Sequence, residues 1–271
     1  MDWDQKKADI HYRGKATKGA DASHEASFQK QRLVKMANTV PFGLPDRVLV
    51  AFDDQTAALT STLASAEKIN SEVVDIAMAC DPVLGECAHL RSQGYRIEAP
   101  APLSEAWKHK FVLDLDEVGF SPKFAALMES NSAVIKGSIQ REFWRGWAQP
   151  WKHFIPLSSS YAELYNLGTF FNGFPAALGN GTEPIKVTEL SRPKPVPSLP
   201  RNEDGSPFRA DAVAREIAEA GSEWRVAHLR RADMECFVYR LMVEWAAMTD
   251  LSVNVNGEVV EEEGEADEDL A

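Results

Sequence analysis

Cysteine is scarce, with three residues in 271 (Cys80, Cys87 and Cys236). That is too few for disulfides to stand in for a hydrophobic core. Long apolar runs are missing as well. No stretch reaches the ~20 residues a membrane-spanning helix needs, and the first thirty residues hold no signal-type apolar segment. Cationic residues are outnumbered: Lys and Arg total 29 against 41 Asp and Glu, a net charge of −12. That balance argues against general nucleic-acid binding, which wants a basic face. Eight of the acidic residues, and no basic one, fall from Gly257 onward. Residues 251–271 are therefore expected to be an acidic, disordered tail, because such a segment cannot bury enough apolar surface to order itself.

What is present suffices for a packed core: 44% apolar residues, with seven Trp and thirteen Phe. The length allows one large domain or two small ones. Short strands are expected at Ile10–Tyr12, Val48–Phe52, Val73–Met78, Phe111–Leu115, Ala133–Ile135 and Phe154–Ile155. Helices are expected near Phe28–Ala37, Thr60–Ile69, Pro122–Ser130 and Ser158–Phe171. Strands alternating with helices at this spacing argue for an α/β fold, a parallel sheet with helices on both faces. Residues 173–205, rich in Pro and polar groups, read as a loop insertion. Beyond it, Val213, Ile217, Ala220 and Trp224 form one helical stripe, and Met234, Val238, Leu241, Trp245 and Met248 form another. Both are expected to face a core, with Cys236 a buried thiol in the second helix.

Phe111 to Pro156 is the most informative stretch. An apolar strand ends in a Gly-containing turn, then Ser121-Pro122 opens a helix. Ser121 suits an N-cap and Pro122 the first helical position, which puts Lys123 in the first turn. A cation there is disfavoured by the helix dipole unless an anion is bound nearby, and a phosphate would serve. Asp114 and Asp116 admit three readings: a metal–nucleotide pair, a phosphatase nucleophile of haloacid-dehalogenase type, or turn-orienting groups, with Asp116 orienting the turn. His153 sits between apolar residues and reads as structural before catalytic. Upstream, Tyr12-Arg13-Gly14 exits a β-prone run into a small, cationic loop. By itself this is a solvated basic loop, although a guanidinium, a hydroxyl and backbone N–H groups would suit a diphosphate. Cys80 and Cys87, seven apart, could form a disulfide or, with His89, a metal site. Asn180-Gly181-Thr182 is a glycosylation sequon.

These segments resemble, in order, the signature blocks of glycosyltransferase family 90, the capsule-associated-protein and Rumi-like sugar transferases. The resemblance rests on Trp3 to Gly19, on Leu113-Asp114-Leu115-Asp116 with Gly119, Ser121 and Phe124, on Pro150-Trp151 to Pro156, and on Glu235-Cys236 to Leu241. It covers most of residues 3–250. It implies a Rossmann-like nucleotide-binding half of a GT-B glycosyltransferase over 1–250, closed by C-terminal helices. It implies a UDP-sugar donor and transfer of glucose or xylose to a protein or glycan hydroxyl, in an inverting reaction. Carried over residue by residue, the donor site falls on Arg13, Gly14, Thr17, Asp116, Val118, Gly119, Phe120, Ser121 and Lys123. Lys123 stands where the family usually has Arg, which keeps the charge and loses the planar fork. The family's catalytic base lies in an N-terminal domain expected to be missing here, so no catalytic residue is assigned. A non-catalytic nucleotide-sugar-binding module is the alternative. The resemblance favours a Cys80–Cys87 bridge and an ER or Golgi lumen. It calls for no cofactor or metal ligand; Mn²⁺ is compatible but not indicated.

Overall fold

A computed structural model describes residues 1–16, 27–38, 47–53, 58–64, 66–80, 85–117, 119–178 and 209–249. Thr17, Gly19, Val118, the Asn180 sequon, most of the 173–205 insertion and the 251–271 tail lie outside the described residues. The chain divides into two compact units, Met1–Ala227 and His228–Ala271.

The first unit is built on six parallel strands: β1 (Lys7–Gly14), β4 (Val74–Ala79), β5 (Ile97–Glu98), β6 (His109–Leu115), β7 (Ala133–Gly137) and β8 (Ile155–Pro156). A separate antiparallel pair, β2 (Arg47–Asp53) and β3 (Ala58–Ala64), precedes β4. The order across the large sheet is β5-β4-β1-β6-β7-β8. The chain starts in the middle, winds outward through β4 and β5, then crosses back to the other side of β1. That reversal, between β1 and β6, defines a Rossmann-like sheet and opens a crevice at the carboxyl ends of the two strands. The α/β expectation is borne out. Every residue of β7 is buried, and all but one of β6. Strands covered on both faces are largely apolar, and β6 and β7 are so except at Asp114 and Lys136, which pair with each other.

Helices α1 (Gln29–Asn38), α2 (Ala66–Val73), α3 (Gly85–Ser92), α4 (Phe124–Met128), α5 (Leu164–Asn172) and α6 (Ala210–His228) complete this unit. The core joins β1, β4, β6 and β7 to α1, α5 and α6 through Ile10, Leu33, Ile76, Phe111, Ile135, Leu164 and Ile217. Removing each such side chain from water contributes about 1.5–3 kcal/mol. Trp3 meets Phe111 edge-on at 6.2 Å and donates to Asp211 on α6 at 3.1 Å. On α6 the expected stripe is buried at Ile217 and Trp224, together with Ala214 and Ala218.

Three expectations need correcting. Thr60–Ile69 is not one helix: Ala58–Ala64 is β3, paired with β2, and α2 begins only at Ala66. Thr60 and Thr62 are β-branched and favour the pleated surface, while Asn166 and Thr169 of α5 hold the Val50 backbone of the hairpin at 3.1 and 2.7 Å. The helix after Ser158 begins only at Leu164, because Ser158 N–H turns back to Glu163 and Tyr161 adopts φ 59°. The Cys80–Cys87 segment is helical from Gly85. In the second unit, α7 (Arg231–Thr249) buries none of its residues. Met234, Val238, Leu241, Trp245 and Met248 are exposed, as is Cys236. Among the described residues this unit holds no other helix or strand to cover the stripe.

Candidate nucleotide site

A cavity of about 330 Å³ opens where β1 and β6 end. Its wall takes His11, Tyr12, Arg13, Gly14 and Lys15 from β1 and its exit, and Glu117 and Lys123 from the turn after β6. Leu103 and Ala106, of the turn before β6, line it as well. Two segments a hundred residues apart in sequence therefore meet at one crevice, because parallel pairing aligns Ile10 with Phe111 and His11 with Val112.

Arg13 is held before any ligand arrives. Its Nη2 donates to both carboxylate oxygens of Asp75, at 2.8 and 2.9 Å, and its Nη1 donates to the Asp75 carbonyl at 2.7 Å. Arg96 reaches the same carboxylate at 2.9 Å. His11 Nδ1 lies 3.0 Å from Asp75 Oδ2. Burial works against the charge on Asp75, but the hydrogen bonds from His11 and Arg13 outweigh it and hold the carboxyl far below the usual range. His11 moves down from its ordinary value, chiefly because burial disfavours the imidazolium. Its ring stacks on His109 at 4.1 Å, and His109 Nδ1 is bonded to Asp9. Among the described residues, His11, Asp75 and His109 are the group whose ligand atoms could converge on a metal ion. Asp75 already faces two guanidinium groups, so a cation there meets a carboxylate whose charge is largely spent.

The turn after β6 is braced from beneath. Asp114 is fully buried, receives Lys136 Nζ at 2.7 Å, and accepts from the Ser121 hydroxyl. Glu142 approaches the same lysine at 3.1 Å. Burial opposes the charge on Lys136, yet Asp114 and Glu142 outweigh it and raise its pKa. Asp116 faces elsewhere. Ser138 Oγ donates to it at 2.5 Å and the Ile139 and Gln140 amides donate at 2.8 and 3.3 Å. The brace of the turn is thus Asp114, and Asp116 orders the segment after β7. Side chains two apart share a face of a strand, but Asp116 lies just past the end of β6, where that alternation no longer holds. Asp114 is also too enclosed to serve as a phosphatase nucleophile.

Gly119 takes φ +104°, where a side chain would be strained, and Phe120 is 60% exposed beside it. Helix α4 starts later than expected: Lys123 is its N-cap, and Ser121 Oγ accepts the Lys123 amide at 3.4 Å. At five residues its dipole is small, so an anion at this turn would have to be drawn by side chains. Lys123 Nζ pairs with Glu117 at 2.9 Å, and Lys30 pairs with the same carboxylate. Burial opposes the charge on Glu117, but the two lysines hold its pKa below the ordinary value.

Several groups here carried no sequence signal. Asp75 and Lys30 lie in elements with no motif, and only the register of β1 against β4 sets Asp75 beside His11. His153, expected to be structural, accepts the Gln149 amide at 2.9 Å and stacks on Trp224 at 5.5 Å. Cys80 and Cys87 are joined in a disulfide, which removes both from any metal-ligand set.

The fold is Rossmann-like, consistent with a glycosyltransferase domain. No family model matches the chain. Among curated proteins it is similar to O-glucosyltransferase rumi of Drosophila pseudoobscura pseudoobscura, 22% identical over 192 residues, covering 66% of this chain and 38% of the relative. The protein of the same name from Drosophila melanogaster gives the same identity and coverage. The O-glucosyltransferase rumi homolog of Anopheles gambiae is 25% identical over 162 residues, covering 59% of this chain and 32% of the relative. The chain thus spans well under half the length of these relatives, and the likeness supports a glycosyltransferase relationship.

Proposed function

We propose that this chain binds a UDP-sugar at the β1–β6 crevice and serves transfer of glucose or xylose to a hydroxyl of a protein or glycan, as in glycosyltransferase family 90 and its capsule-associated members. What supports the reading is that Arg13, Gly14 and Lys123, singled out by family resemblance, line one cavity at the strand-order reversal, with Gly119, Phe120 and Ser121 in the adjoining turn and outside its lining. Dinucleotides and nucleotide-sugars bind at that place in open parallel sheets. The donor site would comprise Arg13, Gly14, Gly119, Phe120, Ser121 and Lys123, with Thr17 and Val118 adjoining in sequence and Asp116 supporting from the side. Residues 1–250 would form the donor-binding domain, with 173–205 inserted and 251–271 a tail. The Cys80–Cys87 disulfide favours an oxidising lumen.

Calorimetric titration with UDP, UDP-glucose and UDP-xylose, with and without Mn²⁺, tests the reading. Binding that weakens in Lys123→Ala is expected. A folded chain that binds none of the three nucleotides overturns it. A second reading, a nucleotide-sugar-binding module without turnover, draws on the pairing of Arg13 and Lys123 with carboxylates. Sugar transfer assayed on the same sample separates the two.

A further inference from the structure

Tyr12 lies on β1, is 1% exposed and lines the cavity, yet its hydroxyl has no hydrogen-bond partner among the described residues. An unmade hydrogen bond on a buried hydroxyl is destabilising, because the group has given up water without a replacement partner. The oxygen sits over Gly14 at the end of the strand: a Cβ on Gly14 would fall 2.2 Å from it. The nearby carboxylates do not accept from it and are turned to other donors. Asp114 holds Ser121 and Lys136, and Glu117 holds Lys30 and Lys123. Burial, then the charges of Glu117 and Asp114, push the Tyr12 hydroxyl well above its ordinary pKa, so it remains a donor. Since no acceptor is found among the described residues, the open side left to it is the cavity that Tyr12 lines.

We propose that Tyr12 Oη is a ligand-recognition donor of this cavity, giving its hydrogen bond to an anionic oxygen of the diphosphate of a bound nucleoside diphosphate. The inference rests on the donor-site reading above and adds to it a residue outside the family-derived set. Three cations, Arg13, Lys15 and Lys123, line the same cavity against the two carboxylates Glu105 and Glu117, a balance that suits an anion. Lys123 Nζ lies 5.8 Å from the centre of the Tyr12 ring. A hydrogen bond to a charged acceptor is also about twice as strong as a neutral one.

The test is Tyr12→Phe, which keeps the ring over Gly14 and removes only the oxygen. UDP and uridine are titrated into the wild type and the variant by calorimetry, and the thermal midpoint of each free protein is recorded. The expected result is UDP affinity lower by about tenfold or more in the variant, uridine affinity unchanged, and a midpoint equal to or above that of the wild type. Equal UDP affinity in both proteins overturns the role of Tyr12 and leaves the donor-site reading standing. A variant midpoint several degrees below the wild type also overturns it, by showing that the hydroxyl has a partner within the protein. No UDP binding by folded wild type sinks the donor-site reading, and the Tyr12 role falls with it.

Discussion

Arg13 spans the side chain and the main chain of Asp75: Nη2 donates to both carboxylate oxygens at 2.8 and 2.9 Å, and Nη1 to the carbonyl at 2.7 Å. One guanidinium thus ties β1 to β4 at the mouth of the crevice. A lysine in its place could not reach the carbonyl and the carboxylate together.

Replacing Asp75 by Asn should lower stability by about 1–3 kcal/mol, because Arg13 and Arg96 lose their shared counter-charge while half buried. The loss should depend on pH in a definite direction. Asp75 has a depressed carboxyl in the folded protein, so its contribution is complete above the unfolded value near 4 and fades as pH falls below it. Thermal melts of wild type and Asp75→Asn should differ most near neutrality and converge in acid. A gap that widens toward pH 3 would refute the assignment.

Gly14→Ala should disturb the site more than the fold. The added methyl would fall on the Tyr12 hydroxyl, 2.2 Å away, and push the ring toward the cavity. UDP affinity should drop by about tenfold with a midpoint shift of only a few degrees. An alanine variant that binds UDP as wild type does would show that the Tyr12–Gly14 approach has no bearing on the ligand.

Lys6 supplies a second pH-dependent prediction. Its ammonium is buried and donates to the Ser130 carbonyl at 2.8 Å and the Ser132 hydroxyl at 2.6 Å, both neutral groups. Burial lowers its pKa to about 8 from 10.5. Between those values the unfolded chain holds a proton that the folded chain has lost, so Lys6 makes stability rise with pH across that window. Chemical denaturation at pH 7.5 and pH 9.5 should therefore show a smaller pH effect on the free energy of unfolding in Lys6→Met than in wild type.

Asp114→Asn should be the costliest of these substitutions, about 3 kcal/mol, because it removes a counter-charge from the buried Lys136 and loosens Ser121 at once. Asp116→Asn, which loosens only the segment after β7, should cost less. Denaturant midpoints rank the two, and the reverse order would contradict the brace beneath the turn.

The pattern of apolar residues by itself determined the α/β class and the central strands. The strand–turn–helix order marked the segment around Gly119, while the segment around Arg13 stood out only through the family resemblance. A strand covered on both faces is nearly continuous in apolar residues, and a turn that needs positive φ calls for glycine, so both leave local marks. Partner choice leaves none. That Thr60–Ala64 pairs as a strand depends on a hairpin neighbour and on α5, and that the α7 stripe lies uncovered depends on what packs against it. The same holds at the site. Asp75 binds Arg13 from the neighbouring strand, and Asp114, held by Lys136 of the next strand, takes the bracing role expected of Asp116. Hydrogen bonds and ion pairs act over a few ångströms, and only the tertiary structure decides which groups come that close.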